Sequence, residues 1–265
     1  EREFDIIIAH CQYSAFTARA LKRRRKIPYL LLVWDPATYT LRKIYTKTWL
    51  KFLYPILYFF AFILDRFATR GAEALITSGR LHHERFKKIS GKNVEDLYPG
   101  CFALDDLPPF QDREKAILTY DRWDIGNKPN IFLNLLANLE DDVRLKLGGF
   151  WHPESIKKDF IEEAKRRKML DRIDLLGPLD EKMIMDLCSK VMLHIHPNEE
   201  AFGMQSLEAA ACGCPIIIPA GSGVTDLFQH GVHGYFPKKE NLKELVKYAE
   251  LIFKDINRAG EMGYR

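Results

Sequence analysis

The chain has 265 residues and a mass of about 30.8 kDa, above the usual single-domain size of roughly 100 to 150 residues, so two compact units are expected. A composition of 47% hydrophobic, 12% aromatic and 29% charged residues excludes wholesale disorder and a fibrous repeat, and the length excludes a disulfide-stapled miniature. The net charge of +4 is unevenly spread: residues 1–106 carry 18 Lys and Arg against 11 Asp and Glu, whereas 107–265 carry 22 against 25. A basic first part can meet phosphate, nucleic acid or an anionic membrane, and composition does not choose among them.

In chain order, the apolar run Phe4 to Ala9, a helical pattern from Ser14 to Arg25 and a second apolar run Tyr29 to Val33 read as strand, helix, strand, the length of a parallel βαβ crossover. The run KRRRK at Lys22 to Lys26 falls at the end of that helix. The stretch Trp49 to Leu64 holds seven aromatic residues, one Lys and one Pro in sixteen positions. It is short for a transmembrane span, which needs about 20 apolar residues. Two readings stay open for the basic aromatic segment 42–66: a buried helix packed on the sheet, or an interfacial helix whose flanking Arg42, Lys43, Lys47 and Lys51 attract anionic lipid. Ala74 to Thr77 is a further strand, followed by a helix from His82 to Ile89.

Cys101 to Arg113, with Asp105-Asp106-Leu107-Pro108-Pro109, has the composition of an interdomain linker. A second alternating series follows, with strands at 116–119, 143–148, 173–176, 191–195 and 215–219, and helices at 129–139, 156–167, 181–188, 204–211 and 241–252. This pattern predicts an open doubly wound α/β domain, with ligand outside the carboxyl ends of its strands. The five cysteines Cys11, Cys101, Cys188, Cys212 and Cys214 form no CxxC pair, so reduced thiols in a cytoplasmic compartment are expected. A zinc reading of His194 and His196 lacks a third ligand, and no metal site is predicted.

The densest signal runs from His196-Pro197-Asn198-Glu199-Glu200-Ala201-Phe202-Gly203-Met204 through Gln205-Ser206-Leu207-Glu208-Ala209 to Cys212-Gly213-Cys214-Pro215. A loop carrying Glu200 and the backbone N–H groups of Phe202, Gly203 and Met204 opens a helix there. Orphan donors and a positive dipole end are thus aimed where a diphosphate or a sugar hydroxyl can bind. Gly203 permits close approach of backbone to ligand, and Glu208, further along, can accept from ribose hydroxyls. This ordered set resembles the E-x7-E region of the retaining, nucleotide-sugar-dependent glycosyltransferases of family 4. The resemblance implies two facing Rossmann-like domains of the GT-B type, the second a doubly wound parallel sheet. It assigns Glu200 to the donor sugar and Glu208 to the ribose.

Asp121-Arg122-Trp123-Asp124-Ile125-Gly126-Asn127-Lys128-Pro129 resembles the family's post-strand motif, in which Arg122 and Lys128 would hold the donor phosphates. Asp121 stands where the family has a glycine. Gly177-Pro178-Leu179 resembles the turn that binds the base through backbone atoms. Gly221, Gly223, Asp226, Gly231 and Gly234 resemble the closing loops and read as turn residues. The resemblance implies no divalent cation or other cofactor, a UDP- or GDP-sugar as donor, and a glycan or lipid-linked acceptor. A cytoplasmic location follows, at the inner face of a membrane where contact is peripheral.

Trp34, before Asp35-Pro36, stands where many relatives carry a histidine, leaving His10 as the nearby imidazole for donor or acceptor. The family's glycine-rich loop after its first strand is missing, so 1–106 reads as a partial acceptor-side domain and 107–265 as the nucleotide-sugar-binding one. The chain is therefore expected to be a fragment of a larger transferase. Two other functions are weighed: a noncatalytic nucleotide-sugar-binding module, and a basic α/β protein binding an anionic membrane or nucleic acid. Neither RNP-like aromatics nor a zinc-finger pattern supports nucleic acid.

Overall fold

Three short, mainly apolar runs, β1 (Ile7–His10), β2 (Tyr29–Leu32) and β3 (Ala74–Thr77), and the polar edge strand β4 (Val94–Asp96) pair in parallel in the order β1-β2-β3-β4. This is seen in a computed structural model of the chain, which describes residues 4–45, 49–124, 126–127, 129–239 and 241–264. Lys47 and Lys128, both singled out above, lie outside these residues. The sheet belongs to the first of two compact units, Glu1–Pro99 and Gly100–Arg265. Parallel strands need long crossovers, here made by α1 (Cys11–Arg25), by α2 (Ala37–Tyr45) with α3 (Tyr54–Arg70), and by α4 (Arg80–Ser90). Tyr29, Leu31, Leu75 and Phe86 are buried at the centre of this unit with Ala15, Ala18 and Ala68 from the helices.

Local chemistry explains several boundaries. Helix α1 ends where Lys26 turns left-handed (φ +60°) and its N–H bonds the Lys22 carbonyl. Lys22, Arg23, Arg24 and Arg25 fill its last turn, where cations complement the negative end of the dipole. Helix α2, absent from the predicted elements, starts on a carboxylate 28 residues away: buried Asp65 of α3 accepts from the N–H groups of Ala37 and Thr38 and from the Thr38 hydroxyl. Gln12 donates to the same carboxylate at 3.0 Å. Burial raises the Asp65 pKa above the ordinary carboxylate range even though these donors oppose it. Helix α3 resolves the open readings for 42–66 in part. Ala61, Asp65, Ala68 and Thr69 are buried, while Ile56, Phe59, Phe60 and Ile63 face outward.

The second unit is built on six parallel strands: β5 (Glu114–Trp123), β6 (Arg144–Trp151), β7 (Ile173–Gly177), β8 (Val191–Ile195), β9 (Ile216–Ile217) and β10 (Gly234–Tyr235). Their order is β10-β9-β8-β5-β6-β7. The chain builds outward from β5 to β7, returns to lay β8 on the other side of β5, and continues to β10. The strand order therefore reverses between β5 and β8. Helices α5 (Asn130–Leu136), α6 (Glu154–Arg166), α7 (Glu181–Lys190), α8 (Met204–Ala211), α9 (Leu242–Lys254) and α10 (Ile256–Tyr264) supply the connections and the C-terminal layer. Trp123, Phe132, Phe160, Leu145 and Leu193 are among the fully buried residues of its core.

Two expectations are corrected here. The strand expected at 116–119 runs on through Trp123, because the Trp123 indole donates to the Gly148 carbonyl of β6 at 2.7 Å and holds the end of the strand in the ladder. Arg122 therefore stands in the strand and not after it. The expected linker, 101–113, is in its later part packed on the second unit: Phe110 is buried, and Tyr264 of α10 donates to the Pro108 carbonyl at 2.7 Å. Arg113 lies buried beside it, donating to the carbonyls of Cys212 and Gly213 at the end of α8.

Candidate functional site

The point where strand order reverses is where an open α/β sheet leaves a crevice, because the loops on either side diverge to opposite faces. In the second unit those loops are 124–129, after β5, and 196–203, after β8. Strand β8 is buried at all five positions, His194 included, so the chain leaves it at a fixed height, and His196 and Asn198 follow directly beyond its end. The loop ends on Gly203, whose φ of +104° is left-handed. A Cβ there would lie 2.9 Å from Ile218 Cδ1 and 3.2 Å from Val224 Cγ1, so both conformation and space require glycine. Ser222 Oγ accepts from the Glu200 N–H at 3.1 Å, and Val224 N–H donates to the Phe202 carbonyl at 2.6 Å. These bonds pin the Glu200 loop against the loop after β9.

Two polar bridges join the two sides of the reversal. His196, buried, faces Asp121 with Nε2 3.4 Å from Oδ2, and its Nδ1 lies 3.0 Å from the Asn198 carbonyl. Burial alone would lower the His196 pKa, but the Asp121 carboxylate and the nearby Glu200 charge outweigh it and raise the pKa above its ordinary value. One turn further out, Asn198 Nδ2 donates to Asn127 Oδ1 at 3.1 Å. Asn127 is itself set by Asp124, whose Oδ1 accepts from the N–H groups of Gly126 and Asn127. Burial works against the Asp124 charge, yet these donors and Arg122 together hold its pKa low. Arg122 is exposed and bonds Asp124 Oδ2 through Nε at 3.1 Å.

Helix α8 carries Glu208 one and a half turns below the loop. The Tyr120 hydroxyl donates to Glu208 Oε2 at 2.8 Å and lies 3.2 Å from the Gln205 carbonyl. Burial raises the Tyr120 pKa far above its ordinary value, with Cys188 and Glu208 adding to the effect, which favours the protonated, donating phenol. Beside Tyr120 the sheet has Gly148, where a Cβ would collide with Leu179 Cδ1 at 2.4 Å. The missing side chain lets the turn after β7 settle over the sheet end. In that turn Gly177 is left-handed (φ +68°), Pro178 is exposed, and Asp180 caps α7 by accepting from Met183 N–H.

The structure thus brings Glu200, Gly203, Met204, Glu208, Arg122 and the Gly177-Pro178-Leu179 turn to the carboxyl edge of one sheet. Phe202 is 3% exposed, so its side chain belongs to the core and only its backbone borders the loop. His10 belongs to the first unit, exposed at the end of β1, with its ring 5.9 Å from that of Trp34. Sequence reasoning missed Tyr120, the His196–Asp121 and Asn198–Asn127 bridges, and Ser222. Only the unusual Asp121 and the polar pair His196 and Asn198 were visible as signals.

A family model described as "Glycosyl transferases group 1" matches residues 107–265. Among curated proteins, the chain is 24% identical over 269 residues to the alpha-1,3/1,6-mannosyltransferase ALG2 of Mus musculus, covering 88% of this chain and 61% of that protein. It is 23% identical over 184 residues to a D-inositol 3-phosphate glycosyltransferase of Xylanimonas cellulosilytica, covering 62% and 44%. The chain therefore spans about half the length of these relatives. Among solved structures it resembles Anabaena Alr3699/HepE in complex with UDP and glucose (TM-score 0.77, 18% identity, 98% of this chain and 71% of that one). It also resembles a sucrose-phosphate synthase from Thermosynechococcus elongatus (TM-score 0.80, 16% identity, 98% and 67%). The two parallel sheets are of the GT-B type shared by these neighbours, and the chain belongs to the group 1 glycosyl transferase family.

Proposed function

We propose that the second unit binds a nucleotide-sugar donor at the β5–β8 reversal and that the parent enzyme transfers its sugar to an acceptor hydroxyl with retention of configuration. The observation that carries this reading is the pair of polar bridges, His196–Asp121 and Asn198–Asn127, which fix an acidic loop and an arginine-bearing strand end around the opening of α8. In this arrangement Glu208 accepts from the ribose, Gly177-Pro178-Leu179 meets the base through backbone atoms, and the diphosphate lies against the N–H groups at Gly203 and Met204. Arg122 neutralises it from the strand end, and the family resemblance assigns Lys128 to the same phosphates. A bond forms between the acceptor oxygen and the anomeric carbon while the bond to the diphosphate breaks, its electron pair leaving with the nucleoside diphosphate. Fixed donors and cations favour that separation because they are already oriented where the negative charge grows. Glu200 contacts the sugar, and the acceptor proton leaves with the diphosphate.

Residues 1–106 then serve as the acceptor-side part, with His10 contacting donor or acceptor. A UDP- or GDP-sugar is the donor, and a lipid-linked or surface glycan the acceptor, which places the enzyme in the cytoplasm beside a membrane. The ALG2 relative and the UDP-bound neighbour support this choice. Calorimetric titration with UDP-glucose and GDP-mannose tests it. Saturable binding of one, lost in Glu208→Ala and weakened in Arg122→Ala, is expected. A folded chain that binds neither, or whose affinity ignores both substitutions, refutes the donor site.

A further inference from the structure

Helix α3 is built the wrong way round for a water-facing helix. Its small and polar residues Ala61, Asp65, Ala68 and Thr69 face the first unit, while Ile56, Phe59, Phe60 and Ile63 are 47% to 63% exposed. Positions 56, 59, 60 and 63 follow one another at three- and four-residue spacing, so the four side chains form a single stripe along one face. Phe52, 63% exposed, stands one turn earlier. A continuous apolar patch of this kind marks a surface meant to be covered. The stretch Lys51–Arg70 is apolar and long enough to cross a membrane by length and composition.

Two observations decide between crossing and lying flat. The Asp65 carboxylate is tied into the first unit by Gln12, Ala37 and Thr38, and Tyr29 donates to the Ala68 carbonyl at 3.1 Å. The C-terminal half of α3 therefore cannot enter a bilayer without dismantling that unit. Charge then selects the surface: from residue 36 to residue 72 there are six Lys and Arg, and the single acidic residue is Asp65, which is fully buried. Exposed Lys51 lies just before the stripe. Aromatic and aliphatic side chains on one face with cations beside them suit the headgroup boundary of an anionic bilayer.

We propose that α3 docks the first unit in the plane of an anionic membrane, inserting Ile56, Phe59, Phe60 and Ile63 with Lys51 at the headgroups. This deepens the membrane-side location proposed above, and it is tested without any nucleotide sugar, so its failure leaves the donor reading untouched. The experiment is cosedimentation of the chain with phosphatidylcholine vesicles with and without phosphatidylglycerol. The variants are Phe59→Ser/Phe60→Ser and Lys51→Glu, each checked for an unchanged thermal melt. Retention on anionic vesicles is expected to fall at least about tenfold in the double variant, as two buried aromatic side chains are lost. Lys51→Glu should weaken it roughly fivefold or more, by an amount that disappears in high salt. Equal retention of wild type and double variant overturns the proposal. So does binding that is indifferent to phosphatidylglycerol, or retention that resists alkaline extraction as a spanning helix would. A stripe that instead holds two copies together, seen as a dimer that Phe59→Ser/Phe60→Ser converts to monomer with vesicle binding unchanged, overturns it equally.

Discussion

Replacing Tyr120 by Phe removes one oxygen and leaves the ring, which is 6% exposed and packed on His194 with centroids 5.5 Å apart. The lost group is a hydroxyl placed 2.8 Å from a Glu208 carboxylate oxygen and 3.2 Å from the Gln205 carbonyl; its single proton serves the carboxylate, the stronger acceptor. A hydrogen bond to a charged group contributes about 1.5–3 kcal/mol. For a unit of this size each kcal/mol moves the melting temperature by about 2–4 °C, so a drop of roughly 3–12 °C is expected. Released from Tyr120, the Glu208 side chain must be ordered by the ligand, at about 0.5–1.5 kcal/mol, or a two- to tenfold weaker affinity for UDP. Differential scanning calorimetry and isothermal titration read the two effects separately. A lower melting temperature with unchanged nucleotide affinity would reduce Tyr120 to a packing residue. An unchanged melting temperature would show that the bond contributes nothing.

Gly203→Ala should destabilise the second unit by about 2–5 kcal/mol in chemical denaturation, combining the left-handed backbone cost with overpacking against Ile218 and Val224; a loss below about 1 kcal/mol would contradict the geometry. His194 and His196 should give opposite pH dependences. His194 is pushed down to about 3 by burial and by His196, so its neutral form stabilises the fold above pH 6.5, and that contribution is lost as pH falls from 6.5 toward 3. His196 is raised, so its stabilisation is full below 6.5 and is lost as pH rises through the folded value. Melts across pH should therefore show His194→Leu gaining on the wild type only in acid, and His196→Gln losing most in acid; parallel curves would refute both assignments.

Much of the second unit was legible because its signals are local. β8 is an apolar run broken only by His194, Gly203 precedes a Leu-Glu-Ala helix, and α8 and β8 fall at their expected residues. The elements that escaped depend on distant partners. Helix α2 needs Asp65 for its first N–H groups, β4 is three residues held only by β3, and the end of β5 needs an indole bond to β6. The site followed the same division. Glu200, Gly203 and Glu208 lie along one loop and helix, in an ordered run whose family resemblance singles them out, whereas Tyr120 reaches Glu208 across 88 positions of sequence and Asn127 reaches Asn198 across 71. Nothing in a single sequence pairs such residues until the topology sets β5 beside β8.

That dependence on topology bears on how each unit meets negative charge. The first unit carries 18 basic against 9 acidic residues, the second 22 against 27. An anionic bilayer is attracted by a diffuse excess that falls off over a Debye length of about 8–10 Å, and the first unit supplies it without placing any cation accurately. A donor diphosphate bound as proposed in the second unit has no such help, since acidic residues outnumber basic ones there. In the proposed donor site its binding rests on groups fixed within hydrogen-bond reach: the N–H groups at the Gly203 opening of α8, and Arg122 on a strand end locked by Trp123. The same ionic strength that strips the first unit from vesicles should therefore change donor affinity less, because the backbone N–H groups carry no net charge to screen and only exposed Arg122 is weakened by salt.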